Sequence, residues 1–205
     1  LALWDKHTKK LALARDRYGK KPLYYGKIGK AWAFASELKA LRILPDFAHQ
    51  IDQTALGEYF RLGYVPAPYS IYESIRKLPA ASYCWLDDPP KKYWRLPGTT
   101  RSGENSSLQE LEIALLQSVK LRMVSDVPLG AFLSGGIDSS LVVAMMQEQS
   151  GNPIRTFTLG FPSATHDEAA KARKIAKHLG TDHLEHYVTA EEALEVVPQL
   201  PRFYD

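Results

Sequence analysis

The sequence predicts a mixed fold, α+β in the first half of the chain and α/β in the second half. In the first half, short apolar runs are paired across polar or glycine-containing turns, which is typical of antiparallel hairpins. In the second half, apolar strand-like runs alternate with helical patterns, which indicates βαβ units and a parallel sheet. Residues 98–105 are small, polar and rich in turn formers, so we predict a linker there between domains at residues 1–97 and 106–205.

The first strands are predicted as two hairpins. Residues 2–4 and 11–14 are apolar runs on either side of a charged turn, and residues 23–25 and 31–35 form a similar pair. A glycine and a proline between the two pairs interrupt the strand pattern. The first half is therefore expected to be an antiparallel sheet layer with charged residues at its turns.

Two helices and a further strand follow these hairpins. Ser36 is a favourable N-cap residue and predicts a short helix over residues 37–41. Asp52 is likewise placed to cap a helix over residues 54–62. After a proline-rich segment, residues 75–86 are predicted as one strand.

A long helix opens the second half. Ser107 and Glu110 have the spacing of a capping box, in which each side chain accepts a hydrogen bond from the other residue's amide. The apolar residues of this helix recur at helical spacing and are predicted to face the core. They are Leu108, Leu111, Leu115 and Val119.

Strands and helices then alternate to the end of the sequence. Buried strands are predicted over residues 127–133, 155–161 and 183–188. Helices are predicted from residue 141 onward, over residues 167–179 before Gly180, and over residues 191–197 before Pro198. Ligands of such sheets bind beyond the carboxyl ends of the strands, so a binding site is expected after the first of these strands.

The segment at that position has the composition of an anion-binding loop, Ser134-Gly135-Gly136-Ile137-Asp138-Ser139-Ser140. Adjacent glycines allow a tight turn and a close approach to a ligand. The following helix presents free amides and its positive dipole end, and the serine hydroxyls add donors, so phosphate is the anion that we expect. The loop lacks the Gly-Lys-Ser/Thr ending of a Walker loop and the spacing of a dinucleotide loop.

Asp138 is the unusual residue of this loop. A carboxylate beside a polyphosphate is repelled unless a cation lies between them, which predicts a Mg²⁺ site at Asp138. The alternative interpretation is that Asp138 caps the helix while the glycines only make a turn.

Composition restricts the classes of protein. The 205 residues are 45% hydrophobic, with a net charge of +3, which gives no indication of a nucleic-acid or membrane partner. The single cysteine cannot form an internal disulfide and fits a cytoplasmic location. The sequence begins at Leu1 without methionine, and we expect it to be a fragment of a longer protein.

The loop resembles the pyrophosphate-binding loop of the ATP pyrophosphatase superfamily, and residues 125–133 before it resemble the glutamine-hydrolysing asparagine synthetases. Residues 15–25 and 34–41 are similar to the C-terminal half of the class II glutaminase domain of that family. The resemblance implies part of an N-terminal-nucleophile glutaminase domain with antiparallel sheets. It also implies that this part is followed by the start of an adenine-nucleotide α-hydrolase-like synthetase domain.

The resemblance also implies an activity, namely ATP-dependent amidation of aspartate with glutamine as nitrogen donor, through an acyl-adenylate and with release of AMP and pyrophosphate. Aspartate, glutamine and ATP would be the substrates, Mg²⁺ the metal, and a homodimer is an open alternative. Leu133 and Leu159 match positions at which the family contacts the adenine nucleotide; the alternative for either leucine is a core residue. The implied ATP and pyrophosphate site consists of Leu133, Ser134, Gly135, Gly136, Ile137, Asp138, Ser139, Ser140 and Leu159.

No catalytic residue of the glutaminase reaction is assigned. The family's nucleophile is a cysteine at the mature N-terminus, whereas Cys84 lies in an apolar strand-like run and is expected to be a packed thiol. One departure from the family pattern is Ala80-Ala81, which stands where Pro-Gly is common and predicts a local difference in the turn.

Other functions stay open at this point. A related amide ligase, similar to β-lactam synthetase or to amidating enzymes of polysaccharide pathways, would keep the adenylation and change the acceptor. An inactive nucleotide-binding or scaffold module is the alternative of another class. A zinc site at His178, His183 and His186 is disfavoured, because His183 and His186 should point to opposite faces of a strand.

Overall fold

The computed structural model describes residues 1–98, 107–162 and 167–205. It contains two compact units, one comprising Leu1–Arg101 with Asp205 and the other Ser102–Tyr204. Among the described residues, no helix is long and apolar enough to cross a membrane.

Two antiparallel sheets form the first unit. One has the order β1-β2-β6-β7 and the other the order β4-β3-β5. The strands of the first sheet are β1 (Ala2–Asp5), β2 (Lys10–Ala14), β6 (Ser82–Trp85) and β7 (Lys91–Lys92). Those of the second are β3 (Tyr24–Ile28), β4 (Ala31–Ala35) and β5 (Ile75–Lys77). The helices are α1 (Leu38–Arg42) and α2 (Gln53–Leu62).

Each sheet has its own apolar core, because alternate residues of its strands point to the buried face. One core consists of Tyr24, Ile28, Leu38, Leu41, Phe47 and Ile75. The other consists of Leu13, Leu23, Leu78 and Cys84. The prediction that Cys84 is a packed thiol is therefore confirmed.

The half-buried guanidinium of Arg15 connects three segments of the first unit. Its Nη1 donates to the Leu78 carbonyl at 2.7 Å, across 63 positions of sequence. Its Nη2 donates to the Gly19 carbonyl at 2.6 Å and its Nε to the Lys21 carbonyl at 3.0 Å. Hydrogen bonds from a charged donor are stronger than those between neutral groups, so this one side chain holds the turn after β2 to the segment before β6.

Two predictions for the first unit are wrong. Residues 75–86 form two strands in different sheets, β5 and β6, because the chain turns between them at Ala81, which has a φ of 55°. Ser36 does not cap α1, since the helix begins at Leu38 and the N-cap residue is Glu37. The amides of Leu38 and Lys39 donate instead to the carboxylate of Asp205, which groups with this unit.

The N-terminal cap of α2 agrees with the prediction. The Asp52 side chain accepts a hydrogen bond from the Ala55 amide at 3.0 Å. At the other end, Gly63 has a left-handed backbone with a φ of 76°, the conformation that favours glycine at a helix C-terminus.

The second unit contains a three-stranded parallel sheet in the order β10-β9-β8, which confirms the predicted parallel sheet. Its strands are β8 (Gly130–Phe132), β9 (Arg155–Gly160) and β10 (Asp182–Tyr187). Its helices are α3 (Leu108–Arg122), α4 (Ile137–Glu148), α5 (Ala169–Leu179), α6 (Ala190–Val196) and α7 (Leu200–Phe203), with a 3-10 turn at Val197–Gln199. The core lies between sheet and helices and contains Leu133, Val143, Ala172 and Ala176.

The capping box of α3 is confirmed, but the predicted burial of its stripe is wrong. The Ser107 side chain accepts from the Glu110 amide, and the Glu110 carboxylate accepts from the Ser107 amide. Leu108 is 85% exposed and Leu111 is also exposed, while Leu115 and Val119 are half-buried. Helical spacing shows that these residues share one face of the helix, but it does not show that the whole face is covered. Among the described residues, only the C-terminal part of the face is shielded from solvent, and α3 contacts α4.

The predicted strand over residues 127–133 is shorter in the structure, and the helix after it begins earlier. β8 starts at Gly130, and Val127 is exposed. α4 starts at Ile137 rather than at residue 141, so four of the seven residues of the loop motif are helical. Within the described ranges, β8 lies at the edge of the sheet, and its three residues pair with β9.

Replacing Arg15 by methionine should lower the free energy of unfolding by about 2–4 kcal/mol, because three carbonyls lose a charged donor while the apolar stem is kept. Urea unfolding followed by circular dichroism measures this change. Arg95→Met is the matched control, since Arg95 is exposed, and it should stay within about 0.5 kcal/mol of the parent protein. Equal effects of the two substitutions would contradict the role given to Arg15.

Candidate functional site

The loop motif lies at the carboxyl edge of the parallel sheet, between β8 and α4. Leu133, which precedes it, is 1% exposed, and its amide donates to the Phe157 carbonyl of β9 at 2.9 Å. The buried Thr158 hydroxyl donates to the Leu133 carbonyl. Both backbone groups of Leu133 are therefore held by the central strand, and the loop leaves the sheet from a fixed point.

Gly135 has a backbone conformation that favours glycine and surroundings that leave little room for a side chain. Its φ is +75°, in the left-handed region. A Cβ there would lie 3.1 Å from the Ala172 amide nitrogen of α5, as well as against the Lys171 side chain. The loop and the first turn of α5 therefore lie close together at Gly135, where the absence of a side chain leaves room for the approach.

The serine hydroxyls of the loop bond to the loop itself. The hydroxyls of Ser134 and Ser139 are 3.0 Å apart. Those of Ser139 and Ser140 both donate to the Gly136 carbonyl, at 3.2 and 2.6 Å. The Ser140 amide also donates to this carbonyl, at 3.1 Å. These contacts fix the shape of the loop, so its available donors are mainly backbone amides.

The N-terminus of α4 provides those amides. Its N-cap residue is Gly136, and no side chain caps the helix among the described residues. The amides of Ile137, Asp138 and Ser139 lie in the first turn, where a helix offers them no internal acceptor. Amides of this kind, together with the helix dipole, are able to bind an anion, as the sequence predicts for this loop.

Asp138 is an exposed residue in the first turn of α4. It is the second residue of the helix and lies after the N-cap position, so the alternative that Asp138 caps the helix does not describe this structure. No hydrogen bond or ion pair involves its carboxylate within the described part of the chain. The carboxylate oxygens are therefore accessible to a cation held at the loop, and carboxylate is a ligand that Mg²⁺ prefers.

The two leucines predicted at the site differ in their surroundings. The Leu133 side chain belongs to the core with Val143 and Ala176. Leu159 is 50% exposed near the carboxyl end of β9, so its side chain is accessible to a ligand there. The sequence interpretation missed Thr158, whose hydroxyl anchors Leu133. A polar residue at an inward position of an otherwise apolar strand is the signal that could have identified it.

Arg173 of α5 is fixed against β10 by a bidentate ion pair. Its Nε donates to one oxygen of Glu185 at 2.7 Å and its Nη2 to the other oxygen. Nη2 also lies 3.4 Å from the Tyr187 hydroxyl. The hydrogen bond from Arg173 lowers the pKa of the Glu185 carboxyl from its ordinary value of 4.5, and the carboxylate raises the pKa of Arg173. The pair connects α5, which contacts the loop, to the sheet.

The histidines of β10 lie on opposite faces of the strand. The half-buried His183 has its Nδ1 2.9 Å from the Thr156 hydroxyl, and its Nε2 lies 3.5 Å from a Glu185 oxygen. His186 is exposed. Among the described residues, no three histidine, cysteine, aspartate or glutamate side chains are grouped so that they could hold a metal ion.

Comparison with known proteins gives a consistent assignment for both units. Residues 1–94 match the family model described as a glutamine amidotransferase domain, and residues 110–205 match the model described as asparagine synthase. The chain is 34% identical over 212 residues to a putative glutamine-hydrolysing asparagine synthetase of Methanocaldococcus jannaschii, covering 99% of this chain and 41% of the relative. It is 32% identical over 208 residues to glutamine-hydrolysing asparagine synthetase 1 of Bacillus subtilis, covering 99% of this chain and 33% of the relative.

Over almost its whole length the chain is similar to glutamine-hydrolysing asparagine synthetases, and each unit matches one family model. The resemblance seen in the sequence motifs is therefore confirmed, and so is the predicted combination of an antiparallel and a parallel-sheet fold. The chain spans between one third and two fifths of the length of these relatives. The domain bounds at residues 97 and 106 and the roles of the site residues stay predictions.

Replacing Gly135 by alanine should destabilise the second unit by about 1–3 kcal/mol, because alanine is strained at a positive φ and its Cβ would press against α5. Thermal unfolding and titration with magnesium pyrophosphate measure the stability and the anion site separately. Gly151→Ala is the matched control, since a Cβ at Gly151 would meet no heavy atom within 4 Å and its φ is not positive. Equal stability and equal binding for both variants would show that the contact with α5 does not constrain the loop.

Glu185 gives this unit a dependence of stability on pH. Because its pKa is lowered in the folded state, the carboxylate stabilises the fold above its ordinary value of 4.5, and this contribution is lost as the pH falls through the folded pKa. Glu185→Gln should therefore be less stable than the parent protein at about pH 7, and the difference should become smaller as the pH falls below 4.5 and through the folded pKa.

Urea unfolding at several pH values measures that difference, with Glu195→Gln as the control on an exposed residue of α6. A difference that stays constant over the whole pH range would contradict the ion pair with Arg173.

Proposed function

We propose that this protein takes part in the ATP-dependent amidation of aspartate to asparagine with glutamine as nitrogen donor. The observation that carries the proposal is the uncapped N-terminus of α4, which follows the two glycines and carries Asp138 in its first turn. Similarity to the asparagine synthetases supports the choice of reaction over other uses of an anion site.

The proposed reaction begins with adenylation. The side-chain carboxylate of aspartate attacks the α-phosphorus of ATP, and the bond to the β-phosphate oxygen breaks, so that pyrophosphate leaves and an acyl-adenylate forms. Ammonia derived from glutamine then attacks the acyl carbon, and AMP leaves. Negative charge grows on pyrophosphate in the first step, so donors arranged around the leaving group stabilise the transition state.

The residues of the loop would have different roles in this step. The amides of Ile137, Asp138 and Ser139 would bind the pyrophosphate oxygens, and one such donor is worth about 3 kcal/mol in comparable sites. Gly135 and Gly136 let the phosphate approach the backbone. The hydroxyls of Ser134, Ser139 and Ser140 hold these amides in place through the bonds within the loop.

Asp138 is the residue that we assign to magnesium. Mg²⁺, when bound, would neutralise the charge between the carboxylate and the polyphosphate. The exposed carboxylate beside the anion site, unpaired within the described ranges, fits this ion. Leu159, exposed near the end of β9, would contribute to the nucleotide-binding surface, while Leu133 acts through its backbone.

The first unit would be part of the domain that releases ammonia from glutamine, since it matches the amidotransferase model. Cys84, the single cysteine, is buried, and burial raises the pKa of its thiol. A thiol with a raised pKa is a poor nucleophile, so we assign no glutaminase catalytic residue in this chain. A cytoplasmic location and a homodimer stay predictions from the sequence and the resemblance.

The 205-residue chain alone is not expected to be active, so the test uses a full-length version of the protein. There, Asp138→Ala should reduce the aspartate-dependent exchange of labelled pyrophosphate into ATP by about a hundredfold or more, because the negative charge on the leaving group loses its counter-ion. Glu148→Ala is the matched control, an exposed acid at the other end of the same helix, and it should exchange at the parent rate. Parent-level exchange by Asp138→Ala would overturn the metal assignment. No exchange by the full-length parent protein with aspartate would overturn the proposed reaction.

A further inference from the structure

Lys171 lies directly against the loop, although no motif indicated it. It belongs to the first turn of α5, where its amide donates to the Glu168 carbonyl at 3.1 Å. A Cβ added to Gly135 would lie 3.2 Å from the Lys171 Cβ and 3.1 Å from its Cγ. The start of the lysine stem therefore packs across Gly135 of the anion loop, and the absence of a side chain at Gly135 makes the room for it.

Among the described residues of the loop and of the start of α5, the charged groups other than Lys171 are acidic or paired. The loop carries the carboxylate of Asp138, and Asp167 and Glu168 precede α5. Arg173, the next cation along α5, is engaged by Glu185. In the described residues, Lys171 is exposed and makes no ion pair. A polyphosphate at this loop would therefore lie near several carboxylates. The ammonium group of Lys171, whose stem packs against Gly135, is the cation that could offset their charge.

We propose that Lys171 is a pyrophosphate-binding residue, whose ammonium group binds an oxygen of the leaving pyrophosphate from the α5 side of the loop. This inference rests on the proposed function of the loop and adds a side-chain cation to its backbone donors. The ammonium group is a compact charge on a flexible stem, and such a group binds phosphate as a point charge without demanding one geometry.

Three substitutions separate the effect of the Lys171 charge from the effect of its packing. Lys171→Met keeps an unbranched stem over Gly135 and removes the charge, whereas Lys171→Arg keeps the charge. Lys174→Met is the control, because Lys174 is an exposed lysine one turn further along the same helix. All three should unfold at the parent temperature, since the substituted side chains are exposed.

Titration calorimetry with magnesium pyrophosphate tests the proposal. We expect Lys171→Met to weaken binding about tenfold, as the loss of one charge-assisted hydrogen bond implies, and Lys171→Arg to bind within about threefold of the parent. Lys174→Met should bind like the parent. The loss in Lys171→Met should become smaller at high salt, because salt screens an exposed charge.

The outcomes distinguish this inference from the function on which it rests. Parent-like binding by Lys171→Met would overturn the role of Lys171 and leave the loop assignment standing. Equal losses in Lys171→Met and Lys171→Arg would also overturn it, since the effect would then come from packing and not from charge. A parent protein that binds no magnesium pyrophosphate would overturn the proposed function and the role of Lys171 with it.

Discussion

The second unit depends on the close contact between the backbone of Gly135 and the first turn of α5. At this contact the loop turns with a positive φ, and any side chain would meet the Ala172 amide and the Lys171 stem. The same helix buries Ala172 and Ala176 against Leu133 and Val143. One helix therefore packs the core and supports the loop, so the geometry of the anion site is tied to the stability of the unit.

The structure explains why a loop of serines and glycines can act as a rigid anion site. Its hydroxyls are occupied by bonds within the loop, and both backbone groups of Leu133 are held by β9. The amides of the first helical turn are left without acceptors inside the helix, which is costly unless solvent or a ligand satisfies them. Donors that are fixed before the ligand arrives need no rearrangement when charge develops on it, and this makes them effective in catalysis.

The sequence predicts those features that depend on neighbouring residues. Three predicted features depend only on residues close together in sequence, and all three are present in the structure. They are the capping box of Ser107 and Glu110, the Asp52 cap and the left-handed Gly180. Features that depend on distant partners were missed. The cap of α1 comes from Asp205, and Arg15 contacts Leu78 across 63 positions. Leu108 has the spacing of a core residue but is exposed, because periodicity does not specify which partner covers a face.

Within the site, the sequence identified the loop but not the division of roles inside it. Because Ile137 and Asp138 follow two glycines, they were predicted as loop residues, whereas the structure places them in the helix and thereby frees their amides. Lys171 had no sequence signal, since an exposed lysine on a helix is ordinary and its contact with Gly135 arises only in three dimensions.

The central claim is that the first-turn amides of α4 bind the pyrophosphate group of ATP. The most direct measurement is a backbone amide NMR titration with magnesium pyrophosphate, compared with magnesium chloride alone. We predict that the amide signals of Ile137, Asp138 and Ser139 shift with the pyrophosphate concentration and saturate. Unchanged signals for these three amides at saturating pyrophosphate would contradict this claim.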